Sequence, residues 1–201
     1  MVEWHLRQAL TLPDDRVRLE FDLPQDAAMR AQWRYPSSVR VTITIGRELE
    51  VSLATHNIGS ENFRLGQALH TYFQVSDVRR ISIRGLDGYT YLDKVGTSAR
   101  RQQQGPVTFT QETDRIYLDT GGACEILDPS ADRSVLITAT GSRSTVVWNP
   151  WIEKAEKMGD FEADGYLRMV CVESANAADD TVNLAPGQEH VLAAQYRLLA
   201  R

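Results

Sequence analysis

Residues 38–57, SVRVTITIGRELEVSLATHN, decide the fold. Apolar and polar side chains alternate from Val39 to Ile45, a turn follows at Gly46–Arg47, and the alternation resumes at Leu49. A period of two places the apolar side chains of a strand on one face. Two such segments joined by a short turn that contains glycine are typical of a β-hairpin. The stretch therefore predicts two antiparallel strands that share one buried face.

The same period continues on both sides of this hairpin. RVRLEFDL, at residues 16–23, alternates in the same way, and turn-forming residues separate many short apolar segments further along the chain. Strands are predicted at Leu69–Val75, Arg79–Arg84, Val107–Thr110, Arg115–Leu118, Gly122–Leu127, Ser134–Thr140, Thr145–Trp148, Leu167–Glu173 and His190–Leu199.

Helical periodicity is weak, and it suggests a short helix only at Trp151–Phe161. Many short strands with few helices favour an all-β protein, which we predict to be a large antiparallel β-sandwich. There is no internal repeat, low-complexity tract or linker, so residues 1–201 are predicted to form a single domain.

Composition excludes several classes of function. A net charge of −5 disfavours binding to nucleic acid, because such binding requires a positive face that neutralises phosphates. No apolar run approaches the length that spans a bilayer, and the first residues do not resemble an export signal, so we expect a cytoplasmic protein that contacts no membrane. Cys124 and Cys171 each lie in an apolar run and are predicted to be inert core residues.

One histidine and one glutamate raise the question of chemistry. His70 follows Leu69 within an apolar run, where a histidine is either a packed, hydrogen-bonded core residue or a catalyst. Glu173 ends the apolar segment MVCVE at residues 169–173, where a carboxylate has to be paired, shifted in pKa or turned to solvent. Residue patterns alone leave packing and catalysis open for both.

Longer blocks resemble a known family. The stretches at residues 57–78 (NIGSENFRLGQALHTYFQVSDV), 146–176 (VVWNPWIEKAEKMGDFEADGYLRMVCVESAN) and 184–198 (LAPGQEHVLAAQYRL) resemble successive blocks of the glucose-6-phosphate 1-epimerases. These are hexose-6-phosphate mutarotases, related to aldose 1-epimerase. The likeness runs from about Trp4 to the C-terminus. It implies a β-sandwich of the galactose mutarotase type, in agreement with the periodicity.

The resemblance also implies roles for three residues. His70 and Glu173 match the family's acid and base, and Asp114 matches a residue that contacts substrate. Interconversion of sugar anomers takes a proton from the C1 hydroxyl and gives one to the ring oxygen, which suits a carboxylate and a histidine. We expect the two groups to face each other across a solvent-reachable cavity several ångströms wide. No cofactor and no metal are expected.

Four residues are candidates for binding the substrate. Asp114 can accept hydrogen bonds from sugar hydroxyls, although a turn acid paired with Arg115 is the alternative. Trp148 offers an aromatic face to the apolar side of a sugar, although packing in the core explains it equally well. Arg143 and Lys154 could reach a phosphate, or could simply be solvated surface cations.

The resemblance implies that family members carry a further segment ahead of the residue where this chain begins. That segment holds strands of the sandwich and arginines that grip the sugar phosphate. We therefore expect open strand edges, which promote association, and weak binding of hexose 6-phosphate. The chain is expected to be a monomer or a weak homo-oligomer through exposed strand edges.

The favoured interpretation is an isomerase that interconverts the α and β anomers of hexose 6-phosphates, with a sugar phosphate as its small-molecule partner. A carbohydrate-binding β-sandwich without catalysis is one alternative. An aldose 1-epimerase that acts on unphosphorylated sugars is the other.

Overall fold

Strands dominate the computed structural model, which describes residues 2–96, 99–121, 123–159, 162 and 164–200. The strands are β1 His5–Thr11, β2 Val17–Asp22, β3 Ser37–Ile45, β4 Leu49–Asn57, β5 Phe63–Leu65, β6 Gln67–Leu69, β7 Tyr72–Gln74, β8 Ser82–Arg84, β9 Thr90–Asp93, β10 Arg100–Gln102, β11 Thr113–Leu118, β12 Cys124–Asp128, β13 Arg133–Thr140, β14 Ser144–Asn149, β15 Met169–Asn176, β16 Val182–Leu184 and β17 Glu189–Ala200. Two short α-helices accompany them: α1 Ala27–Gln32, which the sequence did not predict, and α2 Trp151–Met158, at the position of the predicted helix.

The strands form two large antiparallel sheets. The first has eight strands in the order β1-β2-β3-β4-β17-β13-β12-β8. The second has the order β10-β9-β11-β14-β15-β6, and β7 pairs with β15 beside β6. Strands β16 and β5 pair with each other and form a separate two-stranded sheet. The predicted all-β antiparallel sandwich is confirmed.

The core lies between the two sheets. Val170 and Val172 of β15 point inward from the second sheet and belong to the same buried cluster as Ile137 of β13 and Tyr196 of β17 in the first. Because side chains alternate along a strand, Cys171 and the other odd-numbered residues of β15 point to the outer face of the second sheet. That outer face carries the candidate site.

Most of the predicted strands are present. The hairpin of β3 and β4 forms with Ile45 opposite Leu49, and the alternating segment before it is β2. The predictions at Gly122, as the start of a strand, and at Asp160 and Phe161, as the end of the helix, lie outside the described residues.

Several boundaries are wrong. The segment Leu69–Val75 is two strands, because the Thr71 hydroxyl donates to the Leu69 carbonyl and also contacts the Tyr196 hydroxyl. In the segment Val107–Thr110, Val107 forms only an isolated bridge with Ile83.

Two further strands begin later than predicted. Arg79 lies in a turn before β8, where the Asp77 carboxylate accepts hydrogen bonds from the backbone and side chain of Arg79. Such local side-chain bonds compete with strand pairing. Leu167 lies in a short 3₁₀ turn, and β15 begins at Met169 and continues to Asn176. Strands β1, β9 and β10 were missed because their residues lack clear alternation, and the three-residue strands β5 and β16 were missed because they are too short to show it.

An exposed edge and apolar surface remain on the first sheet. Strand β1 forms its end, and all seven of its residues are exposed. Val17 and Ile45, which face each other on β2 and β3, are 39% and 47% exposed. Open edges of this kind were expected from the sequence. Weak self-association through such an edge stays a prediction.

Gly141→Ala is expected to lower the free energy of unfolding by about 3 kcal/mol or more. Gly141 has a φ of +77°, and a Cβ at this position would lie 1.9 Å from the Val191 carbonyl oxygen. Backbone cannot move aside as a flexible side chain can. Equilibrium unfolding in urea measures the loss.

Gly159→Ala provides the matched control for this variant. Gly159 has a similar φ of +70°, but its Cβ would meet no described residue within 4 Å. It therefore incurs only the conformational cost of about 1–2 kcal/mol. Equal losses in the two variants would show that the close approach to Val191 is unimportant.

Candidate active site

The register of four neighbouring strands brings the candidate residues together. Asp114 of β11 lies opposite Trp148 of β14, Trp148 lies opposite Cys171 of β15, and Cys171 lies opposite Tyr72 of β7. Paired residues in antiparallel strands share a face, so these four side chains form one row across the outer face of the second sheet.

Glu173 lies on the same face, two residues along β15 from Cys171. The interpretation of Glu173 as the end of a strand is wrong, because β15 continues for three more residues to Asn176. Only 8% of the Glu173 side chain is exposed. A carboxylate shielded from water is costly unless it is paired, hydrogen-bonded or protonated, so this position needs an explanation.

His70 lies opposite Glu173 by continuation of the ladders on either side. Leu69 pairs with Ser174 and Tyr72 pairs with Cys171, so the two residues between them on each strand face each other. His70 Nε2 is 3.3 Å from Glu173 Oε1, and 48% of the histidine side chain is exposed. The interpretation of His70 as a core packing residue is therefore wrong.

The expected gap between the acid and the base is absent. The sequence predicted a cavity several ångströms wide between His70 and Glu173, with both reachable by solvent. The structure has the two groups in contact, with Glu173 almost wholly covered. Any ligand that reaches both groups would have to separate them.

Aromatic rings surround the histidine. The His70 ring stacks on Tyr72 with 4.8 Å between centroids and 22° between planes, and it meets the Trp148 ring edge-on at 6.0 Å. Tyr72 and Trp148 are themselves edge-on at 6.1 Å. Such contacts restrict the orientation of the imidazole and provide an apolar wall.

The protonation of Glu173 is unusual for a carboxyl group. Burial raises the pKa of Glu173 to about 7, and the nearby negative charge of Asp114 adds to the shift. Burial also raises the pKa of Asp114, against the opposing effect of the positive charges on Lys154 and Lys94. A carboxyl group with a pKa near neutrality can both take up and release a proton at working pH.

Asp114 is held by a lysine from the helix that follows β14. Lys154 Nζ lies 3.0 Å from Glu112 Oε1 and 3.8 Å from Asp114 Oδ2, and 5.9 Å from the centre of the Trp148 ring. The alternative for Asp114, a pair with Arg115, does not form. Arg115 instead donates to Gln103, with its guanidinium over the Tyr91 ring.

A buried asparagine positions that helix. Asn149, at the end of β14, accepts a hydrogen bond from the Trp151 backbone N–H and donates from Nδ2 to the carbonyls of Tyr166 and Met169. These bonds connect β14, the first turn of α2 and the start of β15. Lys154 is thereby directed toward Asp114.

Arg143 is not part of this cluster. It lies in the turn before β14, where its backbone N–H and guanidinium contact Asp180 and its guanidinium also contacts Asp119. The structure thus brings together His70, Glu173, Asp114, Trp148 and Lys154, and it places Arg143 elsewhere.

Sequence reasoning missed three residues near the site. Tyr72 and Asn149 lie within quoted blocks, but their side-chain partners come from other strands or helices. Cys171 is buried and carries a free thiol, as predicted, yet it lies directly beside His70 and Glu173. The signal that could have found it is the spacing of two residues between Cys171 and Glu173, which places both on one face of a strand.

His70, Cys171 and Glu173 offer ligand atoms within 4.8 Å of one another, so they could hold a metal ion. The expected absence of a metal and of a cofactor stays a prediction.

Within the described part of the chain, no helix has the length and the apolar character that are needed to span a bilayer.

A comparison with family models gives one assignment. The model described as aldose 1-epimerase matches residues 2–197. A protein of Cenchrus ciliaris, provisionally named glucose-6-phosphate 1-epimerase, is 33% identical over 162 residues, which cover 78% of this chain and 49% of that protein. A protein of Escherichia coli K12 with the same name is 32% identical over 166 residues, 82% of this chain and 55% of that one. The chain therefore spans about half the length of these curated relatives.

Solved structures show the same fold. A protein of Salmonella typhimurium, provisionally described as a mutarotase, is 29% identical with a TM-score of 0.89, over 98% of this chain and 65% of that one. A galactose mutarotase-like protein of Clostridium acetobutylicum is 12% identical with a TM-score of 0.72, over 99% of this chain and 67% of that one. The second likeness concerns the fold alone, and together they confirm the galactose mutarotase type.

Proposed function

The chain belongs to the aldose 1-epimerase family, and on that premise we propose that it interconverts the α and β anomers of hexose 6-phosphates, glucose 6-phosphate among them. The observation that supports this most is the contact of 3.3 Å between His70 Nε2 and Glu173 Oε1 on the outer face of the second sheet. The names of the curated relatives favour glucose 6-phosphate as substrate.

The reaction needs two simultaneous proton transfers. The Glu173 carboxylate takes the proton of the C1 hydroxyl, while the protonated His70 imidazole gives its proton to the ring oxygen. The bond between C1 and the ring oxygen breaks, and C1 becomes an aldehyde. After rotation about the C1–C2 bond, the ring closes on the other face of the carbonyl. Both transfers then run in reverse, so the protein ends in its starting protonation state.

Substrate entry requires the acid and base to separate. His70 is the half-exposed partner and lies between two short strands, whereas Glu173 is buried within the long strand β15. We therefore assign the movement to His70, with the sugar entering from solvent between the imidazole and the carboxylate. The carboxylate keeps its place in the sheet, which fixes the position of the C1 hydroxyl.

The row of residues beside Cys171 then orients the sugar. Asp114 accepts hydrogen bonds from sugar hydroxyls. The Trp148 ring is only 8% exposed and packs with Met169 and Cys171, so the core-packing alternative holds for most of the ring and only its exposed part can meet the sugar. Of the two candidate cations, Lys154 is the one beside Asp114, with its Nζ 3.8 Å from Asp114 Oδ2. It serves a phosphate only if it releases Glu112 or Asp114.

This engagement of Lys154 supports a second candidate function, the epimerisation of unphosphorylated aldoses. Lys154 is already bound by two carboxylates, and Arg143 is bound by two others away from the cluster. Exchange rates for glucose and for glucose 6-phosphate separate the two candidates.

Anomer exchange measured by two-dimensional exchange NMR tests the proposal. The chain is expected to accelerate exchange of glucose 6-phosphate above the buffer rate, with a high KM. Faster exchange of glucose would support the second candidate. No acceleration of either sugar at saturating concentration would overturn both.

Asp114→Asn is expected to raise KM for the sugar about tenfold, the value of one charged hydrogen bond. The amide keeps an acceptor oxygen but loses the charge that strengthens the bond. The effect on kcat is expected to be smaller, because Asp114 transfers no proton. Initial exchange rates at several sugar concentrations give both constants.

Glu112→Gln is the control for this variant, because Glu112 also contacts Lys154 but is not assigned to the sugar. Its KM is expected to stay near that of the wild type. A KM that rises equally in both variants would assign the effect to the displaced lysine.

A further inference from the structure

Three chemically different metal ligands meet at the proposed active site. His70 Nε2, the Cys171 thiol sulfur and a Glu173 carboxylate oxygen lie within 4.8 Å of one another. We propose that these groups form a binding site for a soft divalent cation of the Zn²⁺ class, and that the bound cation blocks the acid–base pair. The acid–base mechanism has no use for Cys171, so this role is additional to it.

The geometry suits tetrahedral coordination after a small closure. Zinc bonds are about 2.3 Å to sulfur and about 2.0–2.2 Å to nitrogen and oxygen, which places neighbouring ligand atoms roughly 3.5 Å apart. Cys171 and Glu173 are fixed relative to each other, because they are two residues apart on β15 and share a face. His70 completes the site from the solvent side.

The ligand types select the metal. A thiolate, an imidazole and a carboxylate favour Zn²⁺, whereas Mg²⁺ and Ca²⁺ prefer oxygen ligands alone. The sulfur has to lose its proton when the bond to the metal forms, so binding releases a proton to solvent. Three protein ligands leave a fourth coordination position for water. That position faces solvent on the side of the half-exposed His70.

Inhibition follows from the proposed function, on which this part of the inference rests. With the metal bound to His70 Nε2 and to the Glu173 carboxylate, neither group can transfer a proton to or from the sugar. The cation is thus an inhibitor of the reaction and not a cofactor.

Cobalt spectroscopy tests binding without any sugar. Chelator-treated protein is titrated with Co²⁺, and a near-ultraviolet charge-transfer band from thiolate to cobalt is expected, which Zn²⁺ then abolishes by competition. Cys171→Ser is expected to lose the band and to weaken Zn²⁺ binding about tenfold or more, since even outer partners of metal ligands are worth about 10- to 100-fold. Glu173→Gln is expected to weaken Zn²⁺ binding while it keeps the thiolate band.

Cys124→Ser is the matched control, because Cys124 is the other buried free thiol and lies on β12 of the first sheet. It is expected to keep both the band and the affinity. A wild-type protein without a thiolate band, or a Cys171→Ser variant that binds Zn²⁺ like the wild type, would overturn the site.

Anomer exchange tests inhibition separately. Zn²⁺ is expected to abolish exchange at one equivalent per chain, with recovery on addition of chelator and no effect of Mg²⁺. The cobalt measurement contains no sugar. A protein that shows the thiolate band but catalyses no anomer exchange would therefore overturn the proposed function and still support the metal site. Exchange that persists when Zn²⁺ is bound would refute the inhibition.

Discussion

Glu173→Gln is expected to lower the rate of anomer exchange by about 10²- to 10⁴-fold, the contribution that a positioned proton-transfer group typically makes. The amide matches the carboxylate in size but cannot take a proton from the C1 hydroxyl. Its hydrogen bonds to the sugar remain possible, so binding is expected to survive. Exchange NMR and saturation-transfer difference NMR on the same sample measure the two properties.

The outcome separates catalysis from mere binding of carbohydrate. Glu125→Gln, at a partly buried glutamate within β12 of the other sheet, is the matched control and is expected to exchange at the wild-type rate. If Glu173→Gln retains most of the exchange rate, the carboxylate is not the base. That result would support the alternative interpretation, a carbohydrate-binding protein without catalysis.

The same variant is expected to be more stable than the wild type above pH 7. Glu173 is 8% exposed, so its ionised form is costly to bury, and an amide of the same shape avoids that cost. Burial raises the pKa of Glu173 from the ordinary 4.5 to about 7. A difference of that size corresponds to about 3 kcal/mol at most.

The pH dependence of this gain has a definite sign. Between pH 4.5 and about 7 the folded wild type holds a proton that the unfolded chain has lost. Its free energy of unfolding therefore falls as pH rises through this range and then stays low. Urea unfolding of chelator-treated protein at several pH values, from 4.5 upward, checks this. A constant difference between wild type and Glu173→Gln would contradict the burial argument.

The sheet architecture was largely predictable because alternation is a local signal. The hairpin from Val39 to Asn57 can be predicted from its own alternating side chains and its glycine turn. Strand ends were less predictable, because they depend on hydrogen bonds such as those of the Thr71 hydroxyl to Leu69 and Tyr196. Tyr196 is far from Thr71 in sequence, so local periodicity carries no trace of the interruption.

The sequence named most residues of this cluster but not its geometry, and their roles stay predictions. His70 and Glu173 came from the family resemblance, and the ladder of β15 with β6 and β7 explains why they meet. That the two groups touch, and that Lys154 already pairs with Asp114, depends on packing between elements. Cys171 was predicted as inert core, since its neighbours in sequence are apolar. Only the alternation of side chains along β15 shows that it shares a face with Glu173.

His70→Ala is expected to lower the exchange rate by about 10²- to 10⁴-fold as well, because no group then gives a proton to the ring oxygen. His56→Ala is the control, since His56 lies on β4 of the other sheet and should leave exchange unchanged. His70→Gln keeps a polar side chain without a titratable proton, and we expect it to be as slow as the alanine variant. A fast glutamine variant would show that hydrogen bonding suffices.

Rescue by added imidazole makes the test specific to proton transfer. His70 is 48% exposed, so its removal leaves a space that opens to solvent beside Glu173 and below Tyr72. Free imidazole can occupy that space and supply the missing proton, and the rate for His70→Ala is expected to rise about tenfold with it. The glutamine in His70→Gln is larger than alanine and still fills the space, so added imidazole should raise the exchange rate of this variant little. If imidazole rescued neither variant and both folded like the wild type, His70 would act by positioning and not as the acid.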